Sequence, residues 1–85
     1  MNYQLPKRIM ENRRLNPSDK LIYMVIKDHI ESNEKKITNR DIAEATGLTE
    51  MTVNRSIKRL VDEFEILVNK DMYHRKYYSL VDIYG

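Results

Sequence analysis

The feature that most constrains the fold is the segment 41–60, in which small, flexible and apolar residues occur at the spacing of two helices joined by a tight turn. The small Ala43 allows the first of these helices to approach the second closely, and Gly47 can adopt the positive φ that ends a helix. Val53 is then the first apolar position of the following helix. Because the three residues agree on one geometry, the sequence predicts helices on both sides of Gly47.

The size and composition of the chain exclude several classes of protein. At 85 residues and 41% hydrophobic content the chain fits one small domain, which leaves little room for a deep enzymatic cleft. It has no cysteine for a disulfide or a thiolate metal site, and its two glycines are too few for a phosphate-binding loop. No serine stands in a suggestive relation to a histidine. We therefore predict a protein that is not an enzyme and that uses no metal or small-molecule cofactor.

The hydropathy of the chain argues against a membrane segment. The longest apolar run, residues 21–26, is six residues long, whereas a spanning helix needs about 20. The first residues also lack the apolar core of a signal peptide. We expect a cytoplasmic protein that does not contact a membrane.

Positive charge is concentrated near the N-terminus. The whole chain carries 15 basic and 13 acidic residues, and this net charge of +2 is by itself a weak indication of a nucleic-acid partner. Residues 1–15, however, contain four basic residues and one acidic residue, a local net charge of +3. We therefore divide the chain into a basic N-terminal arm, 1–15, and one domain, 16–85.

Two residues mark the start of the first helix of this domain. Asn16 is a suitable N-cap, and Pro17 suits the first helical position. Apolar residues then recur at spacings of three and four as far as residue 30, with charged residues on the other side. A polar loop follows, after which Ile37 is a candidate for a strand of one or two residues.

Threonines mark the starts of two further helices. Thr38 and Asp41 have the spacing of a capping box and start a helix at 39–46. Thr49 caps a third helix, 50–63, whose apolar positions step by four, three and four and so share one face. The opposite face of that helix is polar and carries Thr52, Asn54, Arg55, Lys58 and Arg59.

The periodicity changes after the third helix. Residues 66–68 and 77–81 are β-branched, aromatic or apolar runs on either side of a polar segment, which predicts the two strands of a hairpin. Tyr77 and Tyr78 would point to opposite faces, so at most one of them joins the core. The predicted fold class is α+β, mainly α with a small β-hairpin.

Three helices followed by a hairpin, with a polar outer face on the third helix, resemble the winged helix-turn-helix family across residues 15–81. Ile42-Ala43 and Gly47-Leu48-Thr49 are similar to the core signature of GntR-type bacterial regulators. Residues 3–6 and 15–23 are similar to the DNA-binding domains of phage and plasmid replication initiators and replisome organisers. The resemblance implies a sequence-specific double-stranded DNA-binding protein that controls transcription or replication of a bacterial, phage or plasmid genome.

In that family the third helix would enter the major groove, which is about 12 Å wide and admits one α-helix. Thr49 and Thr52, with the free backbone N–H groups of the first turn, suit phosphate oxygens. Further along the helix, Asn54 can pair with adenine and Arg55 with guanine. We therefore expect this helix to read the sequence.

Contacts to the DNA backbone are expected from the rest of the helix and from the wing, 66–81. Lys58 and Arg59 lie one turn beyond the base-reading residues. Glu50 either accepts from a cytosine amino group or interacts with the helix dipole. The wing would place four residues over phosphates or an adjacent minor groove: Lys70, His74, Arg75 and Lys76.

One feature departs from the family pattern. A glycine often separates the third helix from the first wing strand, but residues 62–66 contain none. The sequence therefore does not define how the helix ends or at which angle the wing leaves it.

Other roles stay open at this level. The arm is either disordered or in contact with DNA. The low net charge, with acidic residues around the third helix, leaves room for a protein-interaction module, and the tyrosine-rich C-terminal strand leaves room for single-strand or RNA binding. Repressors of this class pair two copies on a palindrome, so a homodimer is a candidate arrangement, through residues 80–84 or the first helix.

Overall fold

The computed structural model describes residues 5–32 and 37–81, which form four helices and one antiparallel hairpin. The elements are α1 (Lys7–Met10), α2 (Pro17–Ser32), α3 (Asn39–Thr46), α4 (Glu50–Asp62), β1 (Ile66–Lys70) and β2 (Lys76–Leu80). The predicted fold class is confirmed. The first four residues of the predicted arm, most of the polar loop after α2 and the end of the predicted dimer contact lie outside the described residues.

The start of α2 is fixed by two side chains that cap each other's backbone. The Asn16 side-chain oxygen accepts from the Asp19 N–H at 2.9 Å, and the Asp19 carboxylate accepts from the Asn16 N–H at 3.0 Å. The predicted cap at Asn16 is therefore confirmed. Asp19 is fully buried in this position, although it is charged.

The turn between α3 and α4 also has the predicted geometry. Thr38 and Asp41 form a reciprocal capping box at the start of α3. Gly47 ends that helix with a φ of 76°, and its N–H donates to the Ala43 carbonyl at 2.9 Å. The prediction of a strand at Ile37 is wrong, because this residue lies in an irregular segment, where its buried side chain joins the core.

Every element contributes side chains to one hydrophobic core. The helix α2 packs against both α3 and α4, and its Ile22 and Ile26 are fully buried in the core. The buried face of α4 comprises Val53, Ser56, Ile57 and Leu60. Burying each of the aliphatic side chains stabilises the fold by roughly 1.5–3 kcal/mol. One face of α4 is therefore buried in the core, and its opposite face lies at the surface.

The hairpin is longer than the apolar runs that predicted it. β1 pairs with β2 from Ile66 opposite Leu80 to Lys70 opposite Lys76, so the polar residues 69 and 70 continue the first strand. Of the two adjacent tyrosines, Tyr78 is the buried one, and its hydroxyl donates to the Asn39 side-chain oxygen. Burial raises the pKa of the Tyr78 hydroxyl above its usual value.

The exit from α4 uses a phenylalanine where a glycine is usual. The helix ends at Asp62, one residue earlier than predicted, and Phe64 adopts a positive φ of 57°. The Phe64 N–H donates to the Val61 carbonyl and the Glu65 N–H to the Leu60 carbonyl, which is the hydrogen-bond pattern of a Schellman motif. The sequence signal was hidden because a residue with a Cβ occupies the left-handed position.

The described part of the basic arm, residues 5–15, packs against the domain. Ile9 of α1 is fully buried, and the Lys20 ammonium donates to the Met10 carbonyl at 2.6 Å. Arg8 pairs with Glu65 at 3.3 Å and Arg14 with Glu63 at 3.7 Å. Much of the arm's positive charge therefore faces acidic residues of the domain. The domain boundary at residue 15 stays a prediction.

Candidate functional site

The solvent-facing side of α4 is a continuous row of exposed side chains. We call it the outer stripe, and it comprises Met51, Asn54, Arg55, Lys58 and Asp62. These positions follow the spacing of one helical face, opposite the buried Val53, Ile57 and Leu60. Met51 was missed by the sequence analysis, although it precedes Asn54 by three residues and Arg55 by four.

The polar groups in the middle of the outer stripe are available to a ligand. Within the described residues, Asn54, Arg55 and Lys58 make no ion pair or hydrogen bond with other side chains. A guanidinium presents five donors in a rigid fork, and an amide presents both a donor and an acceptor. The stripe therefore offers hydrogen-bonding groups that other molecules can use without breaking protein contacts.

Two threonines close the N-terminal end of α4. The Thr49 hydroxyl accepts from the Thr52 N–H at 3.1 Å and donates to the Thr52 hydroxyl oxygen at 3.0 Å. The Thr49 hydroxyl is thus occupied by the cap, while the hydroxyl hydrogen of Thr52 stays available to an acceptor. Glu50 is exposed in the first turn, where a carboxylate suits the helix dipole. Its contact with a base stays a prediction.

Arg59 differs from the other predicted cationic contacts because it faces the protein. Its Nε donates to an Asp19 carboxylate oxygen at 2.8 Å. Asp19 is buried, whereas the Arg59 side chain remains 40% exposed. No local feature of the sequence indicates this contact, since its two partners are 40 positions apart. Arg59 therefore joins α4 to α2.

Both members of this pair are charged at neutral pH. Burial alone would raise the pKa of the Asp19 carboxyl, but the hydrogen bonds from the Arg59 guanidinium and the Asn16 backbone outweigh it. The pKa of Asp19 consequently lies below its ordinary value of 3.8. The same hydrogen bond raises the pKa of the Arg59 guanidinium.

The hairpin carries the second group of predicted cations. Lys70 and Lys76 are opposite each other at the ends of the two strands, and both are exposed. His74 and Arg75 lie in the connecting loop, and both are exposed as well. The structure thus brings these four predicted residues together at the far end of the hairpin.

A cleft of about 280 Å³ separates α4 from the hairpin. On the α4 side it is lined by Asn54, Lys58 and Asp62, and on the hairpin side by Lys76 and other residues. Apolar side chains, among them Ile57 and Val68, complete the lining. The cleft places Lys58 and Lys76 on opposite walls, where an anionic chain passing between them would meet both.

The described residues show neither a membrane-spanning element nor a metal cluster. Within 5–32 and 37–81, no helix combines the length and apolarity needed to cross a bilayer. The same ranges contain no group of three or more His, Cys, Asp or Glu side chains that could hold a metal ion.

Known proteins share both the sequence pattern and the fold. The pattern of a family described as winged helix-turn-helix DNA-binding matches residues 15–63, more than half of the chain. No curated protein matches the chain. The resemblances to GntR-type regulators and to replication initiators stay predictions.

Two solved structures are similar to the chain over most of its length. The adhesin competence repressor (AdcR) from Streptococcus pyogenes is 26% identical, with a TM-score of 0.68, and the match covers 87% of this chain and 52% of that one. MepR from S. aureus, solved with bound ethidium bromide, is 21% identical with a TM-score of 0.69, and the match covers 88% and 53%. The second likeness shows the fold alone. The chain spans about half the length of each protein.

Proposed function

Because the chain belongs to the winged helix-turn-helix DNA-binding family, we propose that it binds double-stranded DNA sequence-specifically and regulates transcription, with α4 in the major groove. The observation that carries this proposal is the outer stripe. Its central polar side chains are exposed and make no side-chain hydrogen bond or ion pair within the described residues, while the opposite face of α4 is buried in the core. One of the similar structures is named a repressor, which supports repression as the form of regulation.

Sequence readout is assigned to the middle of α4. Arg55 can donate two hydrogen bonds to guanine O6 and N7, and Asn54 can pair with adenine N6 and N7. The Thr52 hydroxyl and the first-turn N–H groups suit a phosphate. We leave Arg59 out of the predicted DNA-backbone contacts, because its Nε is engaged by Asp19.

Affinity is assigned mainly to the wing and to the cleft beside α4. When α4 lies in the major groove and the hairpin lies over the neighbouring groove, the sugar-phosphate backbone of one DNA strand runs between them. The cleft between α4 and the hairpin would hold that backbone. Lys58 and Lys76 line the cleft, Lys70 lies opposite Lys76 on the neighbouring strand, and Arg75 lies beyond both in the connecting loop. Each of these cations would neutralise a phosphate and release counterions.

The test is a binding titration of the full chain against a random duplex and against single strands, at two salt concentrations. With about four phosphate contacts, the logarithm of the affinity should fall with the logarithm of salt with a slope of about −3 to −4. Excess single strand should compete poorly. Failure to bind duplex at low salt would contradict the proposal.

A protein-interaction role is the second candidate. It is favoured by Glu50 and Asp62, which lie near the two ends of α4 and offset the charges of Arg55 and Lys58. In that case the chain would not bind random duplex at low salt. Pairing of two copies on a palindromic site is also a proposal, and the stoichiometry of the complex tests it.

A further inference from the structure

The far end of the hairpin is apolar as well as cationic. We call residues 71–75 the wing tip. Met72 is 83% exposed, more than any other large hydrophobic side chain in the described residues, and the adjacent Tyr73 is 69% exposed. Single exposed apolar side chains are common on protein surfaces, but adjoining ones flanked by charged residues are typical of an interaction site.

The wing tip is held in one shape by its own hydrogen bonds. An Asp71 carboxylate oxygen accepts from the Tyr73 N–H at 2.8 Å and from the Arg75 N–H at 3.0 Å. The Asp71 N–H donates to the Arg75 carbonyl, and the His74 N–H to the Asp71 carbonyl, both at 3.0 Å. His74 has a φ of 62°, in the left-handed region. The loop therefore presents Met72 from a braced backbone.

The charges around the wing tip match a polyanion. Lys70, Arg75 and Lys76 lie at or beside the loop that carries the exposed Met72, and the acidic residue of the tip, Asp71, is engaged in the loop's hydrogen bonds. The Arg75 guanidinium lies over the Tyr73 ring, 5.2 Å from its centroid. An apolar side chain between cations suits a groove that has phosphates along both edges and stacked bases at its floor.

We propose that Met72 inserts between two base pairs from the minor groove and bends the duplex beside the site read by α4. This inference rests on the proposed DNA binding. Apolar side chains, methionine among them, unstack a base step in this way in other minor-groove complexes, with bends of about 20–90°. The unbranched Met72 side chain can adapt to the narrow space between bases.

The insertion has a consequence for sequence preference. Pyrimidine–purine steps such as TA and CA unstack more easily than AA steps. The chain would therefore prefer a flexible step under the wing, at a position where it makes no directional hydrogen bond. Replacing that step by AA should lower the affinity of the wild-type chain by about threefold to tenfold.

The experiment measures the bend directly. Duplexes selected for binding to the full chain carry a donor and an acceptor dye at their ends, and energy transfer reports the bend on saturation. In parallel, 2-aminopurine replaces the adenines one at a time, and its fluorescence rises where a base is unstacked. We expect a bend of at least about 20° and one unstacked step.

Four variants separate insertion from charge and from general surface effects. Met72→Ala should abolish the bend and the step preference, and Met72→Leu should retain both. Met10→Ala removes an equally large side chain that is 57% exposed on α1, and it should leave both unchanged. Met72→Lys should raise affinity at low salt without restoring the bend, since a cation does not replace an apolar insertion.

The outcomes distinguish this inference from the function on which it rests. Binding to straight DNA, or an equal bend with Met72→Ala, would overturn the insertion and leave DNA binding intact. A full bend with Met72→Lys would also overturn it, because electrostatic attraction would then be sufficient. If the chain bound no duplex at all, both proposals would fail.

Discussion

The helix α4 and the hairpin β1–β2 differ in how they are anchored and in how their charge is arranged. Four residues of α4 are buried, its start is capped by Thr49, and Arg59 joins it to the buried Asp19. The hairpin buries Ile66 and Tyr78 but leaves Leu67 and much of its far end exposed. One element is therefore fixed from several sides, and the other projects from the domain.

The charges of the two elements follow the same division. On α4, the cations Arg55 and Lys58 are offset by Glu50 and Asp62. The hairpin and its loop carry three cations against Asp71, whose carboxylate is used within the loop. Precise hydrogen bonding needs a rigid support, whereas attraction to phosphates does not. The difference supports the proposed division of roles, in which α4 supplies specificity and the hairpin supplies affinity.

The largest expected effect comes from removing the anchor of α4. Asp19→Ala removes half of the α2 capping box and leaves the partly exposed Arg59 without its partner, so we expect a loss of about 2–4 kcal/mol in the free energy of unfolding. Urea denaturation measures this loss. Arg55→Ala is the control on the same helix, and it should change stability by no more than about 0.5 kcal/mol. Equal stability of the two variants would remove the proposed difference between the inner and outer faces of α4.

The same anchor should depend on pH in a defined direction. Because the pKa of folded Asp19 lies below its ordinary value of 3.8, its ionised form stabilises the fold above that pH, and the contribution is lost as pH falls through the folded-state pKa. The stability difference between the wild type and Asp19→Asn should therefore be constant near neutral pH and shrink in acid. A difference that stayed constant or widened in acid would contradict this assignment.

The next effect tests readout by α4. Arg55→Ala should relax base preference at one position of the site at a cost of about 1–3 kcal/mol there, while leaving the salt dependence less affected. The measurement is binding to a panel of duplexes that differ by single base pairs. If both affinity and base preference were unchanged, Arg55 would not be a reading residue.

A smaller and different effect is expected from the hairpin. Lys70→Ala should weaken binding to all sequences alike and reduce the salt slope by about 1. Lys7→Ala on α1 removes the same charge from the arm and should leave the slope unchanged, because Lys7 pairs with Glu11 of the arm at 3.8 Å and the neighbouring Arg8 holds α1 to Glu65 of the domain. A reduced salt slope for Lys7→Ala would show that the arm contacts DNA. If the loss of affinity in Lys70→Ala depended on the DNA sequence, the hairpin would contribute to specificity as well.

The smallest effect concerns the joint between the two elements. Phe64→Gly should stabilise the fold by about 0.5–1 kcal/mol, since glycine adopts the left-handed conformation without strain and the Phe64 ring is 73% exposed. Phe64→Ala is the matched control, because it removes the ring but keeps the Cβ, and it should bring no such gain. Thermal or urea unfolding distinguishes the two. A gain in the alanine variant would show that the ring, not the backbone, is unfavourable.

Local signals in the sequence were enough to predict the main elements. The caps at Asn16, Thr38 and Thr49 act within three residues of themselves, and Gly47 acts on its own backbone, so each can be identified without knowing the fold. The register of the outer face of α4 follows from helical periodicity alone. These features located the candidate reading residues correctly on an exposed surface.

Features that depend on distant partners were not predictable. The four-residue helix α1 is too short to form by propensity and is held by the burial of Ile9. Arg59 looked like its neighbour Lys58 because the sequence does not reveal that Asp19 lies beside it. The continuation of β1 through Asn69 and Lys70 is set by pairing with β2, which overrides the polar character of these residues.

The most direct test of α4 in the major groove is methylation interference on a selected duplex. Methylation at guanine N7 blocks the major groove, and methylation at adenine N3 blocks the minor groove. We predict interference from N7 methylation at the site bound by the wild-type chain, with one such position lost in Arg55→Ala. Tight duplex binding that tolerates N7 methylation at every guanine would contradict it.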